Sequence, residues 1–142
     1  MRTILFRGKV EYPPKYIGKK DVANGEWVCG ELHLQCRNPH IHKDMLTTYP
    51  ININSIGQFT GICDKGGKKI YEGDVVSIGD HETVAVVIWH EHLCQFCYEF
   101  YKDKPQRRSD QKATLIDMMN EYDINVIGNI HDNPKLVPRW EL

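Results

Sequence analysis

The sequence predicts an all-β fold, β-dominated with one short helix. Three observations point there. β-Branched and aromatic residues come in short runs, of which Thr83–Trp89 is the clearest. Glycine-bearing turns such as Asn24-Gly25 and Gly66-Gly67 separate those runs. One stretch only, Ala113–Tyr122, reads as helical, with Leu115, Ile116, Met118 and Met119 apolar; part of it can also be read as strand. The chain has 142 residues, 41% hydrophobic and 26% charged, so it can bury a core without disulfide or metal support.

In chain order, Thr3–Val10 is an opening strand that Pro13-Pro14 stops, because proline has no ladder donor. Asn24-Gly25 favours positive φ and turns the chain into a strand over Glu26–Gln35. Gly30 within that strand marks a bulge or a close backbone approach. Arg37–His40 reads as a turn. A short strand follows over 51–54, then another over Gln58–Ile62 and a tight turn at Asp64–Gly67. Val75–Ile78, Thr83–Trp89 and Cys94–Tyr101 are three successive strands. The run at Thr83–Trp89 has no polar alternation, which predicts burial on both faces and a core position for Val86, Val87, Ile88 and Trp89. Lys102–Lys112 is a polar loop, and Asp123–Ile130 is a closing strand that Asn133-Pro134 ends.

This order suits a small curled sheet or partly open barrel over 58–142, with an N-terminal β segment over 1–57 packed on it as one compact unit. No apolar run is long enough to span a membrane. The first residues lack the apolar stretch of a secretory leader. Five cysteines, an odd number, argue against an extracellular disulfide framework, and a cytoplasmic protein is expected.

Charge is segregated although the formal net is −1. Residues 1–20 carry Arg2, Arg7, Lys9, Lys15, Lys19 and Lys20 against Glu11, while 72–99 carry six carboxylates and no Lys or Arg. Together with edge strands at the ends of a short-stranded sheet, this predicts a homo-oligomer. In that picture Arg7 and Lys9 of an edge strand protect the edge or meet a neighbour's acidic block.

The segment Gln58-Phe-Thr-Gly-Ile-Cys-Asp-Lys-Gly-Gly-Lys-Lys-Ile-Tyr-Glu-Gly-Asp-Val-Val76 resembles the signature of the YopX family of phage and prophage proteins. Phe6–Lys9, Asn24–Gly30 and Val126–Pro134 are similar to three further stretches of that family. The sequence departs from it at Cys29 and Cys63, where tyrosine and a polar residue are usual. The resemblance implies a YopX-like β-rich fold, a phage or prophage origin and a homo-oligomer. It implies no enzymatic activity.

The residues that carry the resemblance are Gln58, Thr60, Gly61, Asp64, Gly67, Tyr71, Glu72, Gly73, Asp74, Gly128, Asn129, Asn133 and Pro134. Their types are those of tight turns. Glycine supplies positive φ, Asp accepts backbone N–H bonds, and tyrosine packs its ring. A structural role is therefore expected for them. The alternative is that Tyr71, Glu72 and Asp74 form a site.

Two clusters bear on metal chemistry. His90, His92, Cys94 and Cys97 offer zinc ligands within eight residues, but all on one hairpin, whereas structural zinc draws ligand pairs from separate turns. His40 and His42 with Cys36 form a weaker set. No P-loop, zincin or nucleophile-elbow motif is present. The sequence thus predicts no cofactor, no metal and no catalysis, and a phage accessory protein that acts as a binding or interaction module. Two alternatives stand. One is a nucleic-acid-binding small β-barrel, in which Phe96, Tyr98, Phe100 and Tyr101 stack bases beside the basic loop. The other is an enzyme of unknown class.

Overall fold

The computed structural model describes residues 2–34, 39–79, 83–101 and 112–138. The expected turn at Arg37–His40 lies partly, and Cys36 and residues 102–111 of the Lys102–Lys112 loop lie wholly, outside the described residues. Among the described residues strands dominate, with one α-helix, and the chain forms two compact units, 1–59 and 60–142. Among the described residues no helix is long and apolar enough to cross a membrane.

In the first unit β1 (Phe6–Lys9), β2 (Trp27–His33), β3 (His40–His42), β4 (Thr48–Pro50) and the start of β5 (Gly57–Cys63) form a sheet ordered β4-β3-β2-β1-β5. All pairs are antiparallel. Alternation sends Val28 and Leu32 of β2, Ile41 of β3 and Tyr49 of β4 to one face. There they pack with Val10 and Ile51, the core of this unit. The Tyr49 hydroxyl donates to the Asp21 carboxylate, and burial together with that carboxylate raises its pKa. Gly30 is a close approach rather than a bulge, since a Cβ there would lie 2.1 Å from the carbonyl oxygen of His42. Gly25 takes the positive φ expected of Asn24-Gly25, at 84°.

Two expectations fail in this unit. The opening strand is not an edge: β1 is bonded to β2 on one side and to β5 on the other. Its central position follows from partners about 20 and 50 residues away, which local sequence does not encode. Residues 51–54 are not a strand. Ile51 makes a lone bridge to Val10, and Ile53–Ser55 is a 3-10 turn. Asn52 causes this by accepting the N–H of Asn54 with its side chain, which offers the backbone an alternative to the ladder.

In the second unit the rest of β5 pairs with β6 (Lys69–Tyr71), and a five-stranded antiparallel sheet runs β10-β9-β8-β7-β11. Its strands are β7 (Asp74–Ile78), β8 (Thr83–His90), β9 (Gln95–Phe100), β10 (Lys112–Thr114) and β11 (Ile124–Asn129). The helix α1 (Leu115–Glu121) starts at Thr114, whose hydroxyl accepts the N–H of Asp117 as an N-cap. The sheet is open, with β10 and β11 at its edges, and is not closed into a barrel.

Both faces of this sheet are covered. Ile70, Val76, Ile78, Ala85, Val87, Tyr98, Leu115 and Ile124 fill one side, and Val75, Val86 and Val137 fill the other. The two-sided burial expected of the Thr83–Trp89 run therefore holds for Ala85, Val86 and Val87. It ends there. Ile88 is half-buried, and Trp89 is 45% exposed. Trp89 shares the face of Ala85 and Val87 but sits beyond the covering elements. It meets Phe96 edge-on at 5.1 Å.

Candidate functional site

Most residues of the family-like signature shape the backbone of the second unit. Asp64 accepts the N–H of Lys68 with Oδ1 at 2.8 Å, which closes the turn, and the N–H of Val126 with Oδ2 at 3.0 Å. Lys65 adds a main-chain bond to Ile124 and an ion pair with Asp123. The turn thereby occupies the outer edge of β11, which would otherwise present unpaired groups. Gly67 and Gly61 take positive φ, 87° and 91°. The Thr60 hydroxyl donates to the carbonyl of Ile70, and Gln58 pairs with Phe6.

Asp74 is 1% exposed and accepts the N–H of Tyr71 at 2.7 Å, across a turn formed by Glu72 and Gly73. Gly73, at φ 91°, binds both ways, donating to Val87 and accepting from Ile130. Tyr71 is buried. At the far end of β11, Asn129 accepts the N–H groups of His131 and Asp132, while Asn133 accepts that of Asn129. Gly128 is pressed on Asn133, and Pro134 opens a 3-10 turn. Tyr71, Glu72 and Asp74 thus surround a turn, with the Asp74 carboxylate turned onto the backbone.

The cysteine and histidine hairpin does not gather its four candidates. Cys97 is fully buried in β9, whereas Cys94 is exposed in the turn at φ 50°. His90 accepts the N–H of Leu93 through Nδ1, and its ring lies 6.0 Å from that of His92. The nucleic-acid aromatics are also committed elsewhere. Tyr98 is buried, Phe96 and Phe100 pack on the same core, and the Tyr101 hydroxyl donates to the carbonyl of Pro138. Among the described residues, no three His, Cys, Asp or Glu side chains are grouped, as they stand, to hold a metal ion.

The charge-block picture loses two of its members. Arg7 is nearly buried, with its guanidinium 4.6 Å from the centroid of Trp27, and Asp74 is turned inward. Asp80 and Glu82 lie outside the described residues.

What remains is the face of the first sheet opposite its core. Register places Arg7 beside Cys29, and Lys9 beside Trp27. The Lys9 ammonium lies 5.4 Å from the Trp27 centroid, so one indole holds two cations. Further along the same face Glu31 stands opposite His42, and His33 stands opposite His40. The rings of His33 and His42 are 3.9 Å apart, and His33 Nε2 is 3.6 Å from the Glu31 carboxylate. Sequence reasoning found His40 and His42 but not His33 and Glu31, because only strand register brings β2 beside β3.

A second exposed feature is the turn between β3 and β4. Asp44 accepts the N–H groups of Leu46 and Thr47 at 2.9 and 2.8 Å, and Lys43 donates to the carbonyl of Thr47. Those bonds, the one from Leu46 first, hold the Asp44 carboxyl below its ordinary pKa. Met45 and Leu46 stand on this fixed turn 97% and 96% exposed.

The family model described as YopX protein matches residues 6–138. No curated protein matches the chain.

Proposed function

The chain belongs to the YopX protein family, and on that premise we propose that it is a phage- or prophage-encoded accessory protein that works by binding, without catalysis, in the host cytoplasm. The observation that carries this reading is the turn bearing Met45 and Leu46. Two large apolar side chains are held in water by three hydrogen bonds that fix their backbone. Such ordering lowers the entropy cost of docking them into a partner. The carboxylates of Asp64 and Asp74, two of the three acids of the signature, are turned to backbone N–H groups, which supports a non-catalytic reading. A second copy is the partner the reading names first.

Light scattering of the wild type and of a Met45→Asp, Leu46→Asp variant, each at two concentrations, tests it. An oligomer that dissociates in the variant is the expected result. A monomer at both concentrations, or an oligomer unchanged in the variant, removes the turn from self-association.

Nucleic-acid binding is a second reading, favoured by the placement of Trp27 beneath Arg7 and Lys9 rather than by the aromatics of β9. Quenching of tryptophan fluorescence by single-stranded DNA, weakened by salt and lost in Trp27→Leu, would support it. No quenching at low salt would reject it.

A further inference from the structure

We propose that the loop 13–20, between β1 and β2, docks onto an anionic lipid membrane, with Ile17 entering the bilayer boundary and Lys15, Lys19 and Lys20 meeting the head groups. This is contact with a membrane surface, not a crossing. It goes beyond the binding reading above and uses neither Met45 nor Leu46. Charge is the first observation. Residues 12–20, Tyr-Pro-Pro-Lys-Tyr-Ile-Gly-Lys-Lys, carry three lysines and no acid. All three lysines are exposed, and among the described residues none of them is ion-paired. The acid that follows, Asp21, has its carboxylate engaged by the Tyr49 hydroxyl at 3.1 Å. A lysine held close to an anionic bilayer strengthens binding about fivefold.

The second observation is Ile17. Its side chain is 101% exposed, more than any other large apolar side chain among the described residues. Lysines stand two positions before it and two and three positions after it. An aliphatic tip ringed by cations suits a lipid interface. The apolar side chain leaves water there, while the lysine stems reach back and keep their ammoniums among the head groups.

The loop holds that tip in place. Pro13 and Pro14 fix their own φ angles, and the Tyr16 N–H donates to the Pro13 carbonyl at 3.1 Å, closing a turn just before Ile17. The Tyr16 ring rests against that of Tyr12, with centroids 4.9 Å apart. Tyr12 in turn packs on the core of the first unit, and its hydroxyl donates to the Val22 carbonyl at 2.7 Å. After Ile17 the chain returns at Gly18, where a Cβ would run into the Tyr16 hydroxyl. A backbone fixed on both sides of Ile17 has less entropy to lose on docking. The same packing disfavours a nucleic acid as the partner of this loop. Single strands bind on open aromatic faces. Here the two tyrosine rings lie against one another, the Lys20 ammonium sits 5.7 Å from the Tyr12 centroid, and an exposed isoleucine offers a phosphate nothing.

The test floats the full chain with vesicles at millimolar lipid. Vesicles of phosphatidylglycerol mixed with phosphatidylcholine should carry the protein at low salt and release it at high salt, and phosphatidylcholine alone should not carry it. Lys15→Gln, Lys19→Gln and Lys20→Gln together should weaken the partition about 100-fold. Ile17→Ser should weaken it about tenfold, an effect that a purely electrostatic contact would not show. Circular dichroism confirms that these variants fold. Met45→Asp, Leu46→Asp should still prefer anionic vesicles, which separates this surface from self-association. The assignment is overturned by no partition into anionic vesicles at low salt, by equal partition into neutral ones, by an unchanged Ile17→Ser, or by single-stranded DNA bound through these lysines in place of vesicles.

Discussion

The two sheets of this protein solve opposite problems. The sheet of the second unit is apolar on both faces, and β7 is buried at every position. The sheet of the first unit has one apolar face, and its other face carries two cations, an indole, three imidazoles and a carboxylate. A sheet covered on both sides leaves few side chains to meet a ligand; a one-sided sheet presents a whole face of them. The second unit also uses its polar residues inwardly, as Asp64, Asp74 and Asn129 bond to backbone. The difference separates scaffold from surface, and substitutions in the two sheets should separate stability from binding.

The largest effect is expected where coverage is complete. Ile70→Ala, at a side chain with no exposure, should cost about 2–5 kcal/mol in chemical denaturation. A loss under 1 kcal/mol would mean that the β5–β6 hairpin is not part of the core. Asp64→Ala comes next. It leaves the N–H groups of Lys68 and Val126 without their acceptor and should cost about 1–3 kcal/mol. The amide of Val126 should then exchange faster with solvent, and unchanged exchange would show that the turn does not close the β11 edge.

Trp89→Ala should cost less than Ile70→Ala, about 1–2 kcal/mol, because its transfer term is only half realised. A cost as large as that of Ile70→Ala would extend the covered region to the hairpin tip. The smallest effect has the opposite sign. Tyr98 is buried with a hydroxyl that makes no hydrogen bond. Tyr98→Phe should stabilise by about 1 kcal/mol. Burial also pushes the Tyr98 pKa up to about 12. The unfolded chain ionises first, so the wild type should lose stability as pH rises from about 10 to about 12. The phenylalanine variant should lack that Tyr98-linked component, and identical alkaline profiles would place the hydroxyl in water.

Much of the second unit was legible in the sequence, because its signals are local. The unbroken run before Trp89 marks a strand buried on both sides, and Asp64-Lys-Gly-Gly67 and Gly73-Asp74 mark turns by residue type. The extent of the core was not. Trp89 continues the apolar pattern and lies past the elements that cover it. The first unit was less readable. β3 and β4 are three residues each, one apolar side chain flanked by histidines in the first, and a proline ends the second. Neither has enough period to announce a strand. The central place of β1 and the meeting of His33 with His42 depend on register between distant segments. Composition could show that the histidines exist but not that they share a face.

The bond from Val126 to Asp64 spans 62 residues. At about 5–20 residues per second of synthesis, the second partner leaves the ribosome roughly 3–12 s after the first. β7 leaves early too, and one of its two edges belongs to β11. For those seconds a strand that is buried at every position in the folded chain waits with a row of open backbone groups, when a neighbouring nascent chain is the nearest alternative partner. A stop before Ile124 would make the wait permanent, so such a truncation threatens solubility beyond the loss of residues 124–142 themselves.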